Sequence, residues 1–272
     1  MDRSPTAPFY EPFPPQTGGR IRGPDPVHIA AYRGAVTGAD AYRATRDAVR
    51  IDRGTLRLGN RFVPLDRYRE FAFLAVGNAS VSQGLAVVDA LGERVTQGLV
   101  LGPIDPPDEL PFRHRRLASG WPGDVPAEGA IADTTELVQG LTERDVLLVL
   151  VSPGALAFLV RPPSGTSGPA WAEWLRGAHV AGAGGAEIAR LARVLGDGLV
   201  AGRLAEHTRA DIETLVIERG DSGLLVGGGP TVPVRDVERA QVVALLARLG
   251  PAGRAPFATA SPREELAPAA PR

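Results

Sequence analysis

Phe71-Ala72-Phe73-Leu74-Ala75-Val76-Gly77-Asn78-Ala79-Ser80 decides how this chain is read. Six apolar residues run into a glycine and a short polar turn, after which Val81, Leu85, Val88 and Leu91 recur at helical spacing. The order is strand, tight turn, helix. In an open α/β sheet such a turn lies at the carboxyl end of a strand, where the first amides of the following helix face outward and can meet a ligand. Gly77, Asn78, Ala79 and Ser80 are therefore candidate contacts for a phosphate or carboxylate; the plainer alternative is that Gly77 only lets the chain turn.

Upstream, Arg50 to Leu65 reads as a β-hairpin in which Ile51, Leu56 and Leu58 alternate with polar residues around Asp52-Arg53-Gly54, with a second turn at Gly59-Asn60. Before it, Val27 to Val49 carries Ile29, Tyr32, Val36 and, after Gly38, Ala41, Ala44 and Ala48, the pattern of one or two helices broken near the glycine. Residues 1–26 are rich in proline and glycine and read as a disordered tail.

Downstream, Gln97 to Leu101 is a short strand, Pro103 to Pro111 a proline-rich loop, and His114 to Ala118 another strand. Ala127 to Leu141 has the apolar spacing of a helix ending at Gly140. Asp145 to Val151 is the most hydrophobic run, with the length and branching of a parallel strand buried on both faces. It ends in a second glycine turn, Ser152-Pro153-Gly154, followed by a short apolar helix over 155–160. Further helices are expected over Ala170–Val180, with Trp171 and Trp174 as packing anchors, and over Ala186–Leu195. Thr214 to Ile217 is a strand, and Leu224 to Val226 leads into a third glycine turn, Gly227-Gly228-Gly229-Pro230-Thr231. Asp236 is expected to cap a last helix reaching Leu249. Pro251 to Arg272 reads as a second disordered tail. The alternation predicts an α/β fold over residues 27–250, a Rossmann-like layered domain with a mostly parallel sheet, preceded by helix and hairpin. This topology can bring the three turns to one sheet edge as a shared pocket for a small-molecule ligand.

Composition removes several classes of chemistry. The 272 residues carry a formal net charge of −1, which gives no reason to expect nucleic acid or an anionic membrane as partner. There is no cysteine, hence no disulfide, thiolate metal site or Cys nucleophile. There is also no lysine: all 30 basic residues are arginine, which closes Schiff-base chemistry and a phosphate-gripping lysine. No apolar run approaches a membrane span and the N-terminus lacks a signal-peptide core, so the expectation is a soluble, cytoplasmic protein. The histidines, His28, His114, His179 and His207, lack metal-ligand spacing, and no metal site is expected. Arg113-His114-Arg115-Arg116 is either an anion-attracting cluster or a solvated basic edge. Ser152 has no partners for a hydrolase elbow.

From about residue 27 to 250 the order of segments resembles the amino-terminal domain of the type II glycerate 2-kinases, which pair an α/β domain with a leucine-rich carboxyl-terminal domain. Val76-Gly77-Asn78-Ala79-Ser80 resembles the family's valine followed by a Gly-Lys-Ala-Ala turn. Gly120-Trp121-Pro122 with Val125-Pro126 resembles its Gly-His-Pro and Val-Pro, and Leu148 to Val151 running into Ser152-Pro153-Gly154-Ala155 resembles its strand into a Ser-Gly-Gly-Gly-Ser-Ala turn. Ala201-Gly202-Arg203-Leu204-Ala205 resembles Gly-Gly-Arg-Leu-Ala, and Gly228-Gly229-Pro230-Thr231-Val232-Pro233 resembles Ser-Gly-Pro-Thr-Val-Pro. The resemblance implies ATP-dependent phosphorylation of glycerate with a divalent metal, at a site between two domains. It places Gly77, Asn78, Ala79, Ser80, Ser152, Gly154, Arg203, Gly228, Gly229 and Thr231 at the substrate or nucleotide.

The departures bear directly on that activity. Asn78 stands where the family has its lysine; it donates hydrogen bonds but brings no charge, and charge-assisted contacts are roughly twice as strong as neutral ones. Trp121 replaces the histidine, and Pro153 removes an amide donor from the shortened second turn. Gly220-Asp221 lacks the family's preceding Ser-Asp, and the expected Asn, Arg and Lys set is not found between residues 186 and 202. The chain ends where the second domain would begin. Two functional readings stand: a non-catalytic protein that keeps the glycine-turn pocket for a small anion or nucleotide, and a kinase using ATP and Mg²⁺ that is completed by a separate leucine-rich chain or by another protomer of a homodimer. Arg203 is the candidate substitute cation in the second. A relic fold without a ligand is the plainest alternative.

Overall fold

The computed structural model of the protein describes residues 40–106, 112–118, 120–124, 127–217 and 229–250. Both expected tails, the helical pattern before Asp40, the strand at Leu224–Val226 and Gly228 lie outside these residues.

Helix α1 (Ala41–Ala48) is started by Asp40, whose carboxylate accepts from the amides of Tyr42 and Arg43. The next segment holds three strands rather than the two of a hairpin: β1 (Val49–Asp52), β2 (Thr55–Leu58) and β3 (Arg61–Pro64) form an antiparallel meander. The turn at Gly59-Asn60 adds the third strand because Val63, like Leu56 and Leu58, supplies an inward apolar residue. Then come β4 (Glu70–Val76), α2 (Ser80–Leu91), β5 (Val95–Gly102), β6 (Arg113–Arg116), α3 (Glu128–Gln139) and β7 (Asp145–Val151). The rest comprises α4 (Ala155–Leu159), β8 (Val160–Arg161), α5 (Gly168–Val180), α6 (Gly185–Leu195), β9 (Asp197–Gly198), α7 (Arg203–Glu206), β10 (Asp211–Val216) and α8 (Asp236–Leu249).

Five strands make one wholly parallel sheet in the order β10-β7-β4-β5-β6. The α/β class with a parallel sheet is thus as expected. Every residue of β7 is buried, and all but the first of β4, which matches the unbroken apolar runs of these two strands. Alternation divides the sheet's side chains between two cores. Ala72, Leu74, Val76, Leu147, Val149 and Val151 pack with α3 and α4, while Phe71, Phe73, Ala75, Leu148 and Leu150 pack with α2 and the inner face of the meander. A third cluster joins α5, α6 and α8, where the Trp171 and Trp174 rings stack with centroids 5.1 Å apart. These tryptophans are core residues.

One local expectation is corrected. Asp236 is the first residue of α8, not its cap; the end is closed by Glu238, whose carboxylate accepts from the amide of Arg235. The helix expected over Ala186–Leu195 is found and ends at Leu195, and Asp197-Gly198 beyond it pairs antiparallel with Val160-Arg161. Among the described residues no helix is long and apolar enough to cross a membrane.

Phe73 is fully buried, and its slot exists only because Gly98 on the neighbouring strand has no side chain. A Cβ at Gly98 would overlap the Phe73 ring and come within 2.9 Å of Phe112 Cβ. Gly98→Ala should therefore cost about 1–3 kcal/mol by overpacking, and Phe73→Leu in the same chain should recover part of that loss. Urea unfolding of the two single variants and the double variant measures the coupling.

Candidate functional site

The strand order reverses at β4. From it the chain moves outward through β5 to β6, then returns across to β7 and β10. The carboxyl ends of β4 and β7 therefore flank the crevice where ligands bind in open α/β sheets. The Gly77 turn follows β4 and the Ser152-Pro153-Gly154 turn follows β7, so the sequence-derived pair of turns meets at this crevice.

The two turns interlock. Ser152 Oγ donates to Val76 O at 3.2 Å and accepts from the Ala79 amide at 3.1 Å, joining the end of β4 to the start of α2. The Asn78 amide donates to Pro153 O at 2.8 Å and the Ser80 amide to Gly77 O at 3.2 Å. Gly77 has φ +118, and a Cβ there would overlap Ser152 O and Oγ. A Cβ at Gly154 would lie 2.7 Å from Asn78 Oδ1, which puts the Asn78 side chain against the second turn. These glycines let two backbones approach each other.

This arrangement redistributes the donors expected of the first turn. The amides of Asn78, Ala79 and Ser80 are engaged within the protein. The next two amides of α2, those of Val81 and Ser82, meet no acceptor among the described residues, as the opening turn of a helix leaves them. Two buried polar side chains lie on the same turn: Ser80, 1% exposed, and Gln83, fully buried, and among the described residues neither Ser80 Oγ nor either end of the Gln83 amide has a hydrogen-bond partner. Gln83 was not marked in the sequence, where a glutamine on an amphipathic helix reads as solvated; only the burial of α2 against the sheet distinguishes it.

The third glycine turn is built one strand further out. Gly229 O accepts from the Gly202 amide and Pro230 O from the Leu204 amide, at 3.0 and 3.2 Å. Thr231 Oγ1 pairs with Thr214 Oγ1 at 2.9 Å, on β10 next to β7. The guanidinium of Arg193 holds this loop, donating to the carbonyls of Gly229, Val232 and Pro233. Arg193 also meets Glu238 at 3.2 Å, both side chains being buried, so burial pushes its pKa down while the carboxylate opposes the shift. No sequence signal singled out Arg193, because its partners are backbone oxygens and a carboxylate 45 residues away.

Arg203 opens α7, and its guanidinium donates to Gly196 O at 3.0 Å and lies 3.8 Å from Asp197. Among the described residues no arginine is hydrogen-bonded to the Gly77 or Ser152 turns. The basic run on β6 is neutralised: Arg113 pairs with Glu136, Arg115 with Asp133 and Arg116 with Asp105, while His114 Nε2 faces Ile104 O at 3.2 Å. Trp121 packs against the His179 ring. No three carboxylate or histidine side chains converge among the described residues.

A protein-family model described as "Domain of unknown function (DUF4147)" matches residues 28–260. Among solved structures, the PH0495 protein of Pyrococcus horikoshii is similar with a TM-score of 0.65 and 20% identity, over 84% of this chain and 53% of the other. A glycerate kinase of Thermotoga maritima is similar with a TM-score of 0.60 and 20% identity, over 86% of this chain and 55% of the other. The chain thus spans about half the length of these two proteins. None of the curated proteins compared matches it.

Ser152→Ala removes the acceptor of the Ala79 amide and the donor to Val76 O, and should cost about 1–3 kcal/mol of stability in urea unfolding. Gln83→Leu replaces an unpaired buried carboxamide with an apolar side chain of similar size. It should raise stability by about 1 kcal/mol in the same measurement.

Proposed function

The chain belongs to the DUF4147 family and has a glycerate-kinase-like fold, and from that premise we propose that it is a non-catalytic member which binds a small anion at the β4/β7 crevice. The observation that carries this reading is the state of the donors at the head of α2. The amides of Asn78 and Ala79 tie the two turns together, that of Ser80 bonds to Gly77 O within the first, and those of Val81 and Ser82 meet no acceptor among the described residues. Amides at a helix start attract a carboxylate or phosphate through their partial positive charge. They do not supply what phosphoryl transfer needs, which is compensating charge on the transferred group. Asn78 is neutral, Arg203 is engaged by Gly196 O and Asp197, and no lysine exists in the chain. Arg203, Gly229 and Thr231 on this reading shape the neighbouring loop, which Arg193 fixes. A nucleotide would be held here by its phosphates alone.

The second reading, an ATP-dependent glycerate 2-kinase completed by a leucine-rich chain or another protomer, is favoured by one fact: the chain spans about half of the glycerate kinase it resembles. One pair of measurements separates the two. With ATP, Mg²⁺ and D-glycerate the purified protein should show no turnover above buffer, while glycerate or phosphate should raise its melting temperature. Ser82→Pro deletes one of the free amides in the first helical turn, where proline is tolerated, and should abolish that rise. Kinase turnover that disappears in Asn78→Ala would establish the second reading instead.

A further inference from the structure

We infer that the outer face of the β1–β3 meander is a docking surface for an acidic protein segment that carries an apolar residue between its carboxylates. The meander buries Val49, Leu56, Leu58 and Val63 on its inner face, so the core makes no demand on the other side. Yet that side carries Phe62, 70% exposed. The registers Arg50↔Arg57 and Arg57↔Phe62 put these three residues in one row across the sheet. Two like charges directly opposite each other destabilise a sheet, and an exposed phenylalanine beside them adds nothing to folding.

The row lies in a concavity of about 590 Å³ whose lining includes Phe62 with Arg50, Arg53 and Arg57. Asp52 is its one carboxylate. Arg50 is paired with Asp47, and Arg57 donates Nε to Gly59 O, but neither Arg53 nor Arg57 has an ion pair among the described residues. From residue 40 to 69 the sequence holds eight arginines against four aspartates, whereas the whole chain has a net charge of −1. The positive charge is therefore local to this region. An apolar centre within a rim of arginines has the composition of a protein–protein contact. The near-neutral chain lacks the overall positive field that favours nucleic acid, which leaves a carboxylate-rich protein segment as the complementary partner.

The test uses a fluorescein-labelled peptide with one leucine flanked on each side by glutamates, a glutamine-for-glutamate version of it, and labelled oligo-dT, each titrated by anisotropy against the full chain. Saturable binding of the acidic peptide is expected, weakened about tenfold in Phe62→Ser and in Arg53→Glu and by raising the salt, with the glutamine peptide unbound. Both substitutions are at exposed positions, and unchanged thermal unfolding confirms that the fold is kept. No binding of the acidic peptide, equal binding to the variants, or tighter binding of oligo-dT through Phe62 would overturn the assignment. Neither variant touches the β4/β7 crevice, so the anion-induced melting shift should persist in both.

Discussion

The hydroxyl of Ser152 is the constraint on which the crevice depends. It lies where two parallel strands end side by side, and it bonds to both the last carbonyl of β4 and the amide of Ala79 before α2. A buried hydroxyl with both roles satisfied fixes the separation of the two turns, and Gly77 and Gly154 have no side chain because the turns then leave no room for one. Once this contact forms, α2 must start where it does. The Asn78 amide is held by Pro153 O for the same reason. Proline in the second turn loses an amide donor but keeps its carbonyl, and it is the carbonyl that this fold uses.

Much of the fold was legible because its strongest signals are local. The runs Phe71–Val76 and Asp145–Val151 are apolar on both faces, and only a strand covered on both sides needs that. Three strands in the meander, where a hairpin was read, follow from Val63, a single inward residue in a segment of mixed polarity. The β8–β9 pair is two residues on each side and leaves no periodicity to find. In the site, the adjacency of the first two turns followed from strand topology, while the use of their amides did not. Whether an N–H faces outward or meets Ser152 Oγ depends on a contact 73 residues away.

The arginines show the same limit more sharply. Arg113, Arg115 and Arg116 read as a basic cluster, but each has a carboxylate opposite it on α3 or on the loop after β5. Arg193 lies within an amphipathic helix and reads as solvated, yet it is fully buried and organises the Gly229–Pro233 loop. Five charge-matched or backbone-facing donors make guanidinium well suited to such bracing, and a chain without lysine has only arginine for the task.

These placements separate what this glycerate-kinase-like scaffold needs in order to fold from what phosphoryl transfer at its crevice would need. Fold stability draws on the two apolar cores and the interlocked turns, none of which requires a cation at the end of β4. Catalysis of phosphoryl transfer would require one, because developing charge on the transferred group is stabilised only by groups already aimed at it. The requirement for the fold and the requirement for the reaction thus fall on different atoms of the same turn. Ser152 and the glycine backbones meet the first, while Asn78 brings a neutral side chain that lies against Gly154.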